Sequence, residues 1–495
     1  MISTHTSFTD LAPSIFIKFK GSWIVAMISV IGMLLRLYNL GKKSLWLDEA
    51  VIFWISQGEI GKILSQNASL NSAPPLYVLL IHIVSGFSQS EAVLRSLSWL
   101  SGTLAIPSIY ILCRQLMSKQ AALICAFIFA IAPIQVHYSQ ELREYSLAIL
   151  LAIWIIYFYL RFERRSELRW LIGFTVISSF GIFTQYGLSL LILAINIIFF
   201  LNWLTTNRSF PIVMKWAMAQ AFLLLIVGAV YLLALKDQLV EGGFGLFYLS
   251  SGYWNNGTGW LGGLPSFLTN NTIQILKYLF PVWLLIWALL IFLGILSAFK
   301  TKSGKILIGV FAASLVVVFL SSVMNYYPYL ASRQILYLSP LFYIVLAFGF
   351  EKISQFRPSW VWLGLLMVIF GYIGFHGTFK YLTEPGTEEL RPIVNTLMER
   401  IEPNDQIYIY YSAEPAFQYY YRQPQNLIIQ GIKSREDPLG YSGQLKPYLE
   451  QPNRIWLVFS HCVLGECEMI ANFAATIRPV EKIQTESGAW LYLAN

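Results

Sequence analysis

Two adjacent carboxylates, Asp48 and Glu49, stand in Ser44-Leu45-Trp46-Leu47-Asp48-Glu49-Ala50, directly after the first long apolar run. An Asp at the centre of a bilayer costs roughly 2.5–3.5 kcal/mol even on the gentlest scale. Just outside the hydrocarbon a carboxylate can stay charged while facing a substrate held in the membrane. A second concentration of ionisable groups lies in His137-Tyr138-Ser139-Gln140-Glu141-Leu142-Arg143-Glu144-Tyr145. This turn between apolar segments lacks the Gly, Asn and Pro of plain solvated turns. Arg143 suits a phosphate, because its rigid fork donates bidentately and keeps its charge. Arg333, in Tyr329-Leu330-Ala331-Ser332-Arg333-Gln334, and Arg95 are further cations at span ends. Each group has a plainer reading beside the chemical one. Asp48 or Glu49 fits a helix cap or first turn, Arg143 a structural Arg–Glu pair, and Arg333 a snorkelling anchor.

The elements that must position these groups are set by composition. Of 495 residues, 56% are hydrophobic and 12% charged, with mean hydropathy +0.59. Soluble proteins carry about 25% charged residues, so lipid solvates most of this chain. The 28 Tyr, 34 Phe and 16 Trp suit interfacial anchoring. The net charge of +8 fits basic cytoplasmic loops rather than nucleic-acid binding.

With about 20 apolar residues per helical span, eleven spans are expected, near 21–38, 91–113, 120–138, 145–160, 170–186, 187–204, 215–235, 272–299, 305–324, 334–350 and 360–379. The first lacks a small-residue cleavage pattern and reads as a retained anchor. If Lys18 and Lys20 hold the N-terminus in the cytoplasm, every inside loop carries cations: Arg114 and Lys119; Arg161, Arg164, Arg165 and Arg169; Arg208 and Lys215; Lys300, Lys302 and Lys305; Lys352 and Arg357. The positive-inside rule then predicts a multi-pass plasma (inner) membrane protein, N-terminus in and C-terminus out. Residues 39–90 form the first outer loop, with amphipathic helices on the membrane and one starting at Pro74-Pro75. The 236–271 loop, with Gly242-Gly243-Phe244-Gly245 and Gly252-Tyr253-Trp254, has the length of a mobile lid.

Residues 1–380 therefore read as the membrane domain and 381–495 as a small soluble α/β domain outside. Its expected elements are a helix over Thr387–Ile401 and strands over 406–411, 426–429 and 454–459. Cys113 and Cys125 read as packing residues. Cys462 and Cys467 form either a disulfide or two free thiols, and a Cys-x4-Cys pair with His461 is a weak zinc signal. No P-loop, GxGxxG after a strand or GxSxG elbow occurs, so the energy must come with a pre-activated substrate. His82, His137, Glu91 and Glu141 lack metal-site spacing, and a divalent cation is left open.

The motifs Trp46-x-Asp48-Glu49, Pro74-Pro75-Leu76-Tyr77, Glu91-x-x-x-Arg95 and Tyr138-Ser139-Gln140-Glu141-x-Arg143-x-Tyr145 resemble GT-C glycosyltransferases. The closer likeness is to the family-39-like group of protein O-mannosyltransferases and lipid A aminoarabinose transferases in its bacterial form, over about residues 30–350. The resemblance implies transfer of a sugar from a polyprenyl-phosphate donor, with inversion, to a hydroxyl of a lipid, glycan or protein. Asp48 would then be the general base, with Glu49 positioning substrate or tuning it. Arg143, with Arg333 or a cation, would hold the phosphate. Glu141, Tyr145, Arg95 and Tyr77 complete the implied substrate-binding set. A lipid-linked-sugar flippase would instead show repeated halves and mid-span charges, which are absent. A polysaccharide polymerase or ligase differs only in acceptor, and a membrane scaffold would leave Asp48 free to vary.

Overall fold

In hydrocarbon a backbone must satisfy its own N–H and C=O groups, which long apolar runs do as helices. A computed structural model describes residues 23–206, 209–241, 250–254, 263–280, 284–355, 359–421, 426–434 and 438–495. Lys18, Lys20, Arg208, Arg357 and Gly242-Gly243-Phe244-Gly245 lie outside the described residues. Among the described residues a helix stands at each of the eleven expected span positions, but eleven full spans are not found. Among the described residues, seven helices are long and apolar enough to cross a membrane, or up to nine if each of two bent pairs is one span. The helices Trp23–Leu37 and Leu168–Thr184 have only 15 and 17 residues. The chain is a multi-pass helical membrane protein.

One of the bends has a clear cause. The ring of Pro133 pushes Ala132 out of the helical region, to φ −64° and ψ 125°. Helix Lys119–Ile131 therefore stops, and Pro133–Ser139 leaves it at 56°. The carbonyls freed at the break need donors, and Arg36, fully buried, supplies them. Its Nη1 donates to Ala130 O (2.7 Å) and Gly32 O (3.0 Å), and its Nε to Ser139 Oγ (3.1 Å). Thr378 Oγ1 takes the Ile131 carbonyl at 2.6 Å. A buried charge at this depth persists because helix-end carbonyls surround it.

The bundle has two chemically different ends. Arg164 donates to Ser303 Oγ at 2.9 Å and also to the carbonyl of Gln115, so three cation-bearing loops meet at one end. Helix Tyr145–Arg165, 21 residues or about 32 Å long, carries Arg143 beside its other end. There the first loop folds as short helices Leu47–Ile55, Ile60–Leu70 and Leu76–Ser85, the last starting just after Pro74-Pro75.

Residues 390–494 add a five-stranded sheet in the order β2-β1-β3-β5-β4. Its strands are β1 (Gln406–Ile409), β2 (Leu427–Gln430), β3 (Ile455–Ser460), β4 (Val480–Glu486) and β5 (Ala489–Ala494). The first three pair in parallel, Gln406 facing both Leu427 and Ile455. The β4–β5 hairpin, absent from the sequence reading, adds antiparallel pairs, with Val458 facing Leu491. Edge strand β4 carries Glu481, Lys482 and Glu486 and has no buried residue, so it lacks the apolar signal that reveals buried β3. Gly488 turns the hairpin at φ +63°. Cys462 and Cys467 are joined by a disulfide. The apolar core of this unit continues into the first loop: Leu45, Ile52, Phe53 and Tyr77 belong to one cluster with Leu390, Tyr408, Phe417 and Trp456.

The first loop is pinned to the bundle by a buried ion pair. Arg95 donates through Nε and Nη2 to the two Glu49 oxygens, at 2.8 and 2.5 Å. Its remaining N–H groups go to the carbonyls of Leu40, Lys43 and Ser44. Glu49, fully buried, also accepts from Leu142 N at 2.7 Å. Removing one partner strands a charge, at a cost of about 3–5 kcal/mol. Arg95→Met should therefore lower the thermal unfolding midpoint in detergent sharply, whereas an unchanged midpoint would show the pair to be dispensable.

Candidate active site

Helix Leu47–Ile55 begins with Asp48 and Glu49 in its first turn, where negative charge suits the helix dipole. Successive residues on a helix point about 100° apart. With Glu49 drawn inward by Arg95, Asp48 turns outward and keeps 22% side-chain exposure. Arg333 Nη1 lies 2.5 Å from Asp48 Oδ2, and Arg143 Nη1 lies 3.7 Å from the same oxygen. Two cations from segments 190 residues apart in sequence thus converge on one carboxylate.

Aromatic rings and a second acid hold those cations. The Arg333 guanidinium lies over the rings of Trp46 (5.4 Å) and Tyr145 (5.9 Å). Arg143 also lies over Tyr145, at 5.6 Å, and donates to its hydroxyl at 3.3 Å. Arg143 Nε is also 3.3 Å from Glu144 Oε2. Ring faces attract cations, more strongly where water is scarce. Burial by itself would raise the Asp48 carboxyl, but the Arg143 and Arg333 charges outweigh it and hold it below its ordinary value.

A second polar cluster adjoins the first. His137 Nε2 is 3.0 Å from Glu141 Oε1, one helical turn apart. Burial pushes Glu141 up, while His137 and then Arg333 and Arg143 hold it below the usual carboxylate range. The Tyr138 and Tyr278 hydroxyls share a hydrogen bond of 2.5 Å. The His137 ring sits edge-on to Tyr138 and Tyr381, and Lys43 donates to Tyr381 O at 2.8 Å.

Of the residues singled out in the sequence, Asp48, Arg143, Glu141, Tyr145 and Arg333 come together. Three do not join them. Glu49 and Arg95 consume each other in the buried pair, which leaves neither free for a substrate. Tyr77 is buried, its hydroxyl 2.6 Å from Ser98 Oγ. The expected lid is described only in part: Gly252 O accepts from Tyr329 N at 2.8 Å, and Trp254 packs on Phe267.

Sequence reasoning missed the site's supports. Trp46 stood in the motif without a role, yet its ring carries Arg333 and its buried Nε1 has no hydrogen-bond partner among the described residues. Tyr278 sits in a helix with no local signal. Two groups from the C-terminal unit also reach the approach to Asp48: Glu389 Oε2 accepts from Ser44 N (3.1 Å) and Oγ (2.7 Å), and Leu45 N donates to Tyr420 OH at 2.7 Å. Among the described residues, no group of three or more His, Cys, Asp or Glu could hold a metal ion.

Residues 72–232 match the family model described as dolichyl-phosphate-mannose-protein mannosyltransferase. No curated protein matches the chain. Among solved structures it is similar to ArnT from Cupriavidus metallidurans bound to undecaprenyl phosphate, at 12% identity and TM-score 0.58, over 96% of this chain and 98% of that one. It is also similar to the Archaeoglobus fulgidus oligosaccharyltransferase in complex with Zn and sulfate, at 13% identity and TM-score 0.57, over 95% and 72%. AglB from the same organism, in complex with an inhibitory peptide and a dolichol-phosphate, gives 12% and 0.53 over 95% and 73%. The fold is thus shared with these structures along nearly the whole chain, and the family match covers about a third of it, from the last part of the first loop through the 137–145 turn.

Proposed function

We propose that this protein is an inverting glycosyltransferase that moves a sugar from a polyprenyl-phosphate donor to an acceptor hydroxyl, with Asp48 as general base. The observation that carries this is one carboxylate facing two arginines, at the membrane end opposite the cationic loops. Asp48 takes the proton of the acceptor hydroxyl while that oxygen bonds to the anomeric carbon. The bond from that carbon to the phosphate oxygen breaks, and the lipid phosphate leaves with the electron pair. Arg143 and Arg333 neutralise it. A phosphate is a good leaving group, so the second, protonated carboxyl that a glycosidase needs has no counterpart. Both arginines rest on Asp48 in the structure, which weakens it as a base. An arriving phosphate competes for them and releases the carboxylate for its task.

Glu141, Tyr145 and Trp46 Nε1, which has no partner among the described residues, offer hydrogen bonds to sugar hydroxyls. With the cationic loops in the cytoplasm, the site and residues 381–495 face outward from the plasma membrane. The acceptor is a lipid, glycan or protein that reaches that face, and residues 1–380 form the catalytic membrane domain.

A panel of polyprenyl-phosphate sugars incubated with membranes identifies the donor by which one is consumed. Asp48→Asn should cut transfer by about 10²–10⁴-fold yet bind polyprenyl phosphate more tightly than the wild type, since no carboxylate competes for Arg333. Near-normal turnover would remove Asp48 as base. Arg143→Ala should weaken donor binding, and unchanged affinity would remove its phosphate role. The pH profile of kcat/KM reports the free enzyme. A base held below its ordinary value stays ionised as pH falls, so the acid limb should lie below the ordinary carboxylate range. In Arg333→Gln that limb should move up, and an unmoved limb would show that Arg333 does not tune Asp48.

A further inference from the structure

The helix that carries Asp48 does not cap its own start. A helix leaves its first N–H groups without internal acceptors, and Trp46, at the N-cap position, supplies no side-chain acceptor. The acceptor comes from the other end of the chain: Leu47 N donates to Glu388 Oε2 at 3.0 Å. Glu388 is buried, and its own position is fixed twice over. Its Oε1 lies 2.5 Å from His461 Nδ1, and Ser460 Oγ is 3.4 Å from its Oε2. Ser460 ends the central strand β3. His461 follows at φ +53°, immediately before the Cys462–Cys467 disulfide. The sheet, the disulfide loop and the first turn of the Asp48 helix are therefore joined through one carboxylate. A carboxylate at this place also meets the positive end of the helix dipole.

We infer that Glu388 is a positioning residue for sugar transfer: as the acceptor for Leu47 N–H, steadied by His461, it holds the first helical turn so that Asp48 meets the acceptor hydroxyl. The inference rests on the role proposed for Asp48 and gives residues 381–495 a part in catalysis without contact with the reacting atoms. Small displacements of a reacting group cost rate more than affinity, up to about 10²-fold for 1 Å.

The test compares Glu388→Ala, Glu388→Gln, Leu47→Pro and the Glu388→Ala/Leu47→Pro double variant in the full-length protein. Gln keeps an oxygen able to accept from Leu47. Proline is tolerated at the first helical position, and Trp46, at ψ 173°, already has the extended backbone that a following proline requires. It therefore removes the donor while keeping the helix start. Glu388→Ala should lower kcat about 10- to 100-fold with donor KM and polyprenyl-phosphate affinity within about twofold of the wild type. Gln should restore most of the rate, and Leu47→Pro should add nothing to Glu388→Ala. Amide hydrogen exchange over 47–55 should quicken in Glu388→Ala. A wild-type kcat in Glu388→Ala, additive losses in the double variant, or a Gln variant as slow as Ala would each overturn the inference. Should Glu388→Ala not fold, exchange over 47–55 in Leu47→Pro decides, and protection equal to the wild type overturns it. If the wild type transfers no sugar from any polyprenyl-phosphate donor, the functional reading fails, while the exchange measurement still judges the cap.

Discussion

The ion pair between Glu49 and Arg95 is the constraint on which the site depends. Taking both charges out of water costs several kcal/mol each, which is recovered only when geometry and hydrogen bonding are complete. Here they are complete: two Glu49 oxygens, three carbonyls from residues 40–44 and the Leu142 amide occupy every available group. The pair ties the end of the first helix, the first loop, the start of helix Ser96–Cys113 and the 140–144 turn to one point. Because adjacent helical residues diverge by about 100°, fixing Glu49 inward also aims Asp48 outward. The carboxylate that faces the site is set by the one that does not.

Around Asp48 the same economy of charge prevails on a half-open surface. Arg143 and Arg333 are held in place by ring faces and by Glu144. Their orientation is therefore prepared before an anion arrives, which is the condition for electrostatic stabilisation without reorganisation. Arg143 and Arg333 converge on Asp48 at the open side of the cluster, where an anion can draw on both guanidinium groups. That suits a phosphate tethered to a lipid better than a neutral sugar.

The membrane fold supports this arrangement by matching the helix break at Pro133 with local donors. Pro133 interrupts one span, and Arg36 and Thr378 take up the exposed carbonyls. The interruption redirects Ser139–Arg143 toward the first loop. The C-terminal sheet completes the other side through Glu388, Glu389 and Tyr420, and its apolar core is continuous with that loop. The unit that reads as separate in sequence is structurally part of the site's wall.

Much of this was determined by the sequence alone. Apolar length dictates helices in hydrocarbon, and each expected span position holds one. The clustering of ionisable groups at span ends marked Asp48, Glu141, Arg143 and Arg333, because charge beside hydrocarbon is too costly to be casual. Short apolar runs marked β1, β2 and β3. Other decisions were tertiary. Sequence spacing cannot tell which of two adjacent carboxylates a distant arginine captures, and so it left Glu49 as the catalytic helper of Asp48 and Arg95 among the substrate-binding candidates. It cannot show where a helix with no local cap finds its acceptor: Glu388 lies 341 residues from Leu47. Nor does an exposed, charged edge such as β4 carry a period that betrays a strand. Local chemistry is written along the chain, whereas partnership between buried polar groups is decided only when folding brings distant segments within hydrogen-bond reach.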